Sequence, residues 1–238
     1  MNKKLILLEL NEINFDFVEK YIEKGESLPG FELLLKSGVS ITESESQYSN
    51  LEPWIQWPSV HTGKSFEEHN VFRLGDFVNS SEEQFFEKIE NAGYKVGAIS
   101  PMNASNKLKN PAYFIPDPWT QTPCDNSFIS KSITKAIVQA VNDNSKSKLT
   151  FKTIFNLGLA FVWLINPLRY FLMIKYALLS LSKPWRKALF LDMLLFEFHK
   201  TFFRRKKPSF STLFLNAGAH IQHHYFFNSP FINSPNLK

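Results

Sequence analysis

The sequence predicts an α/β fold, a parallel sheet carrying helices, with a helical insertion ahead of its last strand. Three observations predict it. Short apolar runs at residues 5–10, 94–100 and 211–216 suit buried strands, and polar residues follow each of them. Stretches with apolar residues at helical spacing lie between the first two runs, and that alternation calls for a parallel sheet. From Phe151 to Phe203 the pattern turns helical throughout, before strand character returns.

Taken in order, Leu5–Leu10 is an apolar run broken only by Glu9, and it reads as a central strand covered on both faces. Asn11–Asn14 forms the loop at its end. Phe15–Lys24 places Phe17, Val18, Tyr21 and Ile22 at helical spacing, with Gly25 just past the end. A second helix follows Leu28-Pro29-Gly30, over Phe31–Lys36, and Gly38 stops it. Val39–Thr42 reads as a strand, Gln56–Thr62 as a helix and Glu82–Asn91 as an amphipathic helix ended by Gly93. Tyr94–Ser100 is the next strand, and residues 104–126, rich in Pro, Asn and Thr, read as a long loop. Ser145–Lys148 is a polar hinge. Helices are expected over Ile154–Ile165, Leu168–Leu181 and Trp185–Phe203, separated by Pro167 and Pro184, and Ser211–Asn216 is a strand. The domain reading is therefore residues 1–145 as the first part of the core, 146–207 as a basic helical insertion or cap, and 208–238 as the return to the core.

At 44% hydrophobic and 15% aromatic residues, the chain has the material for a core, which excludes a disordered polypeptide. Its net charge of +5 is unevenly spread. Residues 1–145 hold 13 Lys and Arg against 20 Asp and Glu, whereas residues 146–207 hold 13 against only Asp192 and Glu197. The basic character thus belongs to the helical block. There the cations alternate with Phe, Trp, Leu and Tyr, which suits lipid or core packing better than phosphate tracking, so nucleic acid is the weakest partner class. The apolar stretch Leu157–Ile165 runs into Asn166, Pro167 and Arg169, too early for a spanning helix. Two readings of residues 151–207 stay open: an amphipathic block lying on a membrane surface, and a helical cap with a basic solvated face. A single cysteine, Cys124, excludes an intrachain disulfide and a Cys-rich metal site. The opening M-N-K-K-L-I-L-L-E has too short an apolar run for a secretory signal, which points to a cytoplasmic protein, peripheral to the membrane if the helical block lies on one.

Three regions carry candidate chemistry. In Glu9–Asp16, Glu12 and Asp16 could bind a hard cation or supply a base at a strand end; the local signals taken alone favour the plainer reading, Glu12 at the positive end of a helix and Asp16 on that helix. Glu52–Phe72 gathers Trp54, Trp57, Ser59, His61 and Thr62, the composition of a pocket wall. Within it Ser59 and Thr62 are hydroxyl candidates and His61 a possible base. Phe214–Phe227 places His220, His223 and His224 directly after a strand. On a helix His220 and His224 share a face, a spacing that suits two imidazoles on one metal ion.

These regions, in this order, resemble the alkaline phosphatase superfamily, in its phosphodiesterase and nucleotide pyrophosphatase branch. T-G-K-S-F-E-E-H-N is similar to the family's T-G-x-x-P-x-x-H-G at Thr62, Gly63, Glu68 and His69, and A-H-I-Q-H-H-Y-F resembles its Asp-x-x-x-His element, with His223 at the metal-binding histidine. The resemblance covers roughly residues 3–101 and 211–227. It implies an alkaline phosphatase-like sheet and a divalent metal, zinc in the first instance, held by Asn11, Glu12, His220, His223 and His224. It also implies phosphodiester or phosphomonoester hydrolysis, a phosphorylated or nucleotide-linked substrate, catalytic roles for Glu52, Ser59 and His61, and substrate contact at Trp54, Trp57 and Thr62. Departures accompany it. Asn11 stands where the family has an Asp, Pro53 falls at the nucleophile slot, and Ala219 precedes His223 in place of Asp. The family's second Asp-His pair and final His are not present. The expectation is a carboxyl-terminally truncated relative, either a weak hydrolase or a catalytically inactive binding protein.

Overall fold

In a computed structural model, residues 4–142 and 151–232 are described. Among these residues four parallel strands form one sheet: β1 (Leu5–Leu10), β2 (Val96–Ile99), β3 (Tyr113–Ile115) and β4 (Phe210–Leu215), in the order β1-β4-β2-β3. Ten α-helices accompany them among the described residues: α1 (Phe15–Glu23), α2 (Pro29–Lys36), α3 (Pro53–Thr62), α4 (Phe66–His69), α5 (Phe85–Asn91), α6 (Phe128–Asn142), α7 (Phe151–Leu164), α8 (Tyr170–Ser180), α9 (Pro184–Lys206) and α10 (Ala217–Tyr225). The fold is therefore α/β with an all-parallel sheet.

Local chemistry sets the boundaries. The Asn14 side chain accepts from the Phe17 amide and caps α1. Pro53 occupies the first turn of α3, where its missing N–H is harmless, and Gly63 ends that helix at φ 71°. Ser65 with Glu68, and Gln84 with Glu87, form reciprocal caps on α4 and α5.

Alternation along the strands divides the core in two. On one face Phe86 of α5 packs on Val96, Ala98, Phe114 and Phe210. On the other, Ile99, Tyr113, Ile115 and Leu213 meet Leu164 of α7, Met173 of α8 and Leu194, Leu195, Phe198 and Phe202 of α9. The basic helical block thus supplies the cover for one side of the sheet.

Several expectations are corrected. β1 is not central: β4 lies between it and β2, and Leu5, Ile6 and Leu8 are exposed. An apolar run reports that a strand is apolar, not where it stands in the sheet. Val39–Thr42 forms no strand; no described strand pairs with it, and Ile41 is 92% exposed. The supposed loop 104–126 contains β3, which pairs with β2 from Gly97↔Tyr113 to Ile99↔Ile115. The expected hinge at Ser145–Lys148 lies outside the described residues.

Candidate site at the carboxyl edge of the sheet

Parallel strands deliver all their following loops to one edge. Asn11 directly follows β1 and Asn216 directly follows β4, and the two side chains meet: Asn11 Nδ2 donates to Asn216 Oδ1 at 2.8 Å. Trp57 of α3 donates its indole N–H to Asn11 Oδ1, also at 2.8 Å. Its ring stands edge-on to Phe214, with centroids 5.2 Å apart. Both polar ends of Asn11 are thus engaged by the protein itself, and the residue positions its neighbours.

Glu12 follows with φ 54°, a left-handed conformation uncommon outside Gly and Asn. Its backbone carbonyl accepts from Gln222 Nε2 of α10, and its Oε2 lies 2.5 Å from His223 Nε2. This carboxylate–imidazole pair, 211 positions apart, is half open to solvent. His220 and His224 meet edge to face instead, with ring centroids 4.7 Å apart. Burial, and then the two neighbouring imidazoles, lower the His220 pKa, which favours the neutral ring that ligates metals. The donors therefore fall into two pairs, and among the described residues no three His, Cys, Asp or Glu side chains gather around one point.

Asp192 of α9 supports this edge from below. Its carboxylate accepts from the Asn216 and Ala217 amides at the start of α10. Burial nevertheless raises its pKa to about 6. Asn103, in the loop after β2, plays the same part on the other side. Its Nδ2 donates to the Trp54 carbonyl at 2.7 Å, its Oδ1 accepts from Gly75, and its amide donates to the buried carboxylate of Asp117. Asn103, Asp117, Asp192 and Asn216 were not singled out from sequence. The available signals were Asp192 as one of two acids in a basic block and Asn216 directly after a strand.

Other candidates lie elsewhere. Ser59 bonds to His69, not His61: Oγ and Nε2 are 2.9 Å apart. His69 Nδ1 accepts from the Val71 amide, so the ring proton sits on Nε2 and is donated to Ser59. In that tautomer His69 cannot take a proton from Ser59, and burial lowers its pKa further from the charged form. His61 is buried beneath Phe85 and Phe86, with Nε2 3.6 Å from Glu9 Oε2. Glu9 Oε1 accepts from Thr212. Thr62 turns its hydroxyl to the Pro58 carbonyl inside α3. Trp54 donates to the Phe72 carbonyl. Glu52 is exposed at the start of α3 and makes no side-chain cap.

The chain matches no protein-family model, and neither a curated protein nor a solved structure matches it.

Proposed function

We propose that the chain is a divergent relative of alkaline phosphatase-type hydrolases whose carboxyl-edge site binds a phosphorylated or nucleotide-linked small molecule with a divalent metal, zinc in the first instance. The observation that carries this reading is the meeting of Asn11, Glu12, Trp57 and His223 at one sheet edge from opposite ends of the sequence. The Glu12 carboxylate and the His223 imidazole are hard and borderline donors of the kind zinc accepts, and supply two of its usual four ligands. A metal held there would polarise a phosphoryl oxygen. Asn11, fixed by Trp57 and Asn216, sets the position of Glu12 beside it.

Binding with little or no turnover is favoured over efficient hydrolysis. Pro53, at the first turn of α3, offers no hydroxyl, and Ser59 receives a hydrogen bond from His69 where a nucleophile must give up a proton.

Calorimetric titration of zinc into the native chain, Glu12→Gln and His223→Ala tests the site. Each substitution should weaken binding about tenfold or more. Equal affinity for all three proteins would remove the metal site. Metal-dependent turnover of a model phosphodiester at enzymic rates would overturn the binding-only reading and require a nucleophile other than Ser59.

A further inference from the structure

The helical block carries an apolar surface that the core does not use. Along α8 and its flanks, Leu168, Phe171, Ile174, Leu178 and Leu181 are all exposed, Leu168 by 90% and Phe171 by 83%. Their spacing of three or four residues places them on one helical stripe. The opposite side of the same helix buries Met173 and Ser180. α8 is thus apolar on its outward side as well as toward the protein, with Lys175 its one charged residue. α7 repeats the pattern, with Phe155, Leu159, Val162 and Trp163 exposed while Ala160 and Leu164 are buried. Exposed apolar residues scattered singly are ordinary, but an unbroken stripe over three turns marks a surface that meets something apolar.

The charges around the stripe identify the partner. Lys175 lines the same shallow hollow as Phe171, Ile174, Leu178 and Leu179. Exposed Lys183 lies two residues after Leu181, and Arg186 reaches back to Ser182 at 2.8 Å. Exposed Arg205 lies over the Trp163 ring, 5.6 Å from its centroid. Both acidic residues of the block are turned to the protein: Asp192 binds the start of α10, while Glu197 is buried and pairs with Lys200 and Arg169. The charge displayed beside the stripe is therefore positive. Apolar side chains flanked by cations, with no exposed acid, match the acyl and headgroup layers of an anionic bilayer.

Geometry restricts the mode of contact. No single helix among the described residues is long and apolar enough to cross a membrane. Gly158–Leu164 and Pro167–Ser180 together have the length and composition, but they are bent by 117°. So sharp a bend rules out one straight span through both segments and leaves α8 free to lie along an interface.

We propose that α8, through Phe171, Ile174 and Leu178 with Lys175 and Lys183 beside them, docks the protein on an anionic phospholipid surface with the helix in the plane of the headgroups. This inference is independent of the site at the sheet edge. It is tested by flotation of the full chain with vesicles of phosphatidylcholine alone or phosphatidylcholine mixed with phosphatidylserine, at low and high salt. The native chain should float with the mixed vesicles, and less so at high salt. Phe171→Ser with Leu178→Ser removes exposed side chains and should leave the circular dichroism spectrum and melting temperature unchanged, while lowering vesicle affinity about tenfold or more. Lys175→Glu with Lys183→Glu should abolish the preference for phosphatidylserine while leaving the fold intact. Three results would overturn the proposal: no flotation of the native chain with either vesicle, flotation unchanged by both double variants, or a dimer in solution that the Phe171→Ser, Leu178→Ser variant dissociates without any vesicle binding. The last would assign the stripe to a second copy of the chain.

Discussion

Replacing His199 and Asp192 should tilt the pH dependence of stability in opposite directions. His199 of α9 faces the sheet, with Nε2 2.8 Å from Ser211 Oγ and the ring 6.4 Å from Tyr113. Burial lowers its pKa from 6.5 to about 4, so the fold holds the neutral ring. That contribution is complete above pH 6.5 and is lost as pH falls toward the folded value. Burial raises the Asp192 pKa from 3.8 to about 6, so the fold favours the protonated acid. Its contribution is complete below pH 3.8 and is lost as pH rises through about 6. At about 1.4 kcal/mol per pKa unit, each swing amounts to about 3 kcal/mol. The two swings overlap and have opposite signs, so they largely cancel in the native chain. His199→Phe removes one of them. Relative to the native protein, this variant should gain about 3 kcal/mol as the solution is acidified from about pH 7 to about pH 4. Asp192→Asn should lose a similar amount over the same range. Urea unfolding of the three proteins across that interval provides the measurement, and differences from the native curve remove the carboxylates common to all. Three parallel curves would refute the reasoning, because they would mean that neither group titrates differently in the folded and unfolded chains.

Two further substitutions probe packing and the site. A Cβ on Gly97 would lie within 2.8 Å of three ring carbons of Tyr113, so Gly97→Ala should cost about 1–3 kcal/mol in chemical denaturation; no change would mean that the ring moves freely. Trp57→Phe keeps a ring against Phe214 but deletes the hydrogen bond to Asn11, and should lower stability by about 1 kcal/mol and weaken zinc binding together, as seen by denaturation and calorimetry.

What the sequence reveals follows from the range over which each signal acts. β1, β2 and β4 are readable because each is a short, mainly apolar run followed by polar residues, although that signal did not reveal that β1 lies at the sheet's edge with Leu5, Ile6 and Leu8 exposed. Helices α1, α2, α5 and α9 are readable because their punctuation is local: Gly25, Gly38, Gly93 and the Pro184 start. β3 escaped because three residues, Tyr113–Ile115, sit among prolines and asparagines, and only pairing to β2 makes them a strand. α6 escaped because its core residues Ile133, Ala136 and Ile137 are interleaved with Ser, Lys and Gln, which blurs the apolar period although Ser127 caps the helix by accepting from the Ser130 amide. At the site, the convergence of Asn11 and Glu12 with His223 was legible from the parallel topology. The pairing of Ser59 with His69 was not, since it depends on the turn at Gly63 that brings α4 back against α3. His61 looked like the nearer base but faces the opposite direction along the helix, into the aromatic core.

The position of β4 also sets a timetable. It fills the slot between β1 and β2, pairing Leu5 with Phe210 and Val96 with the same residue. In a chain made from its amino end, β1 leaves the ribosome long before its sheet partner exists. At roughly 5–20 residues per second, the intervening ~200 residues take on the order of ten to forty seconds to synthesise. Until then β1 has no strand to pair with, and β2 and β3, made about halfway through, have only each other. Loop-closure entropy then has to be met across the whole interval in one event, which makes β4 insertion the slow and aggregation-exposed step of biogenesis.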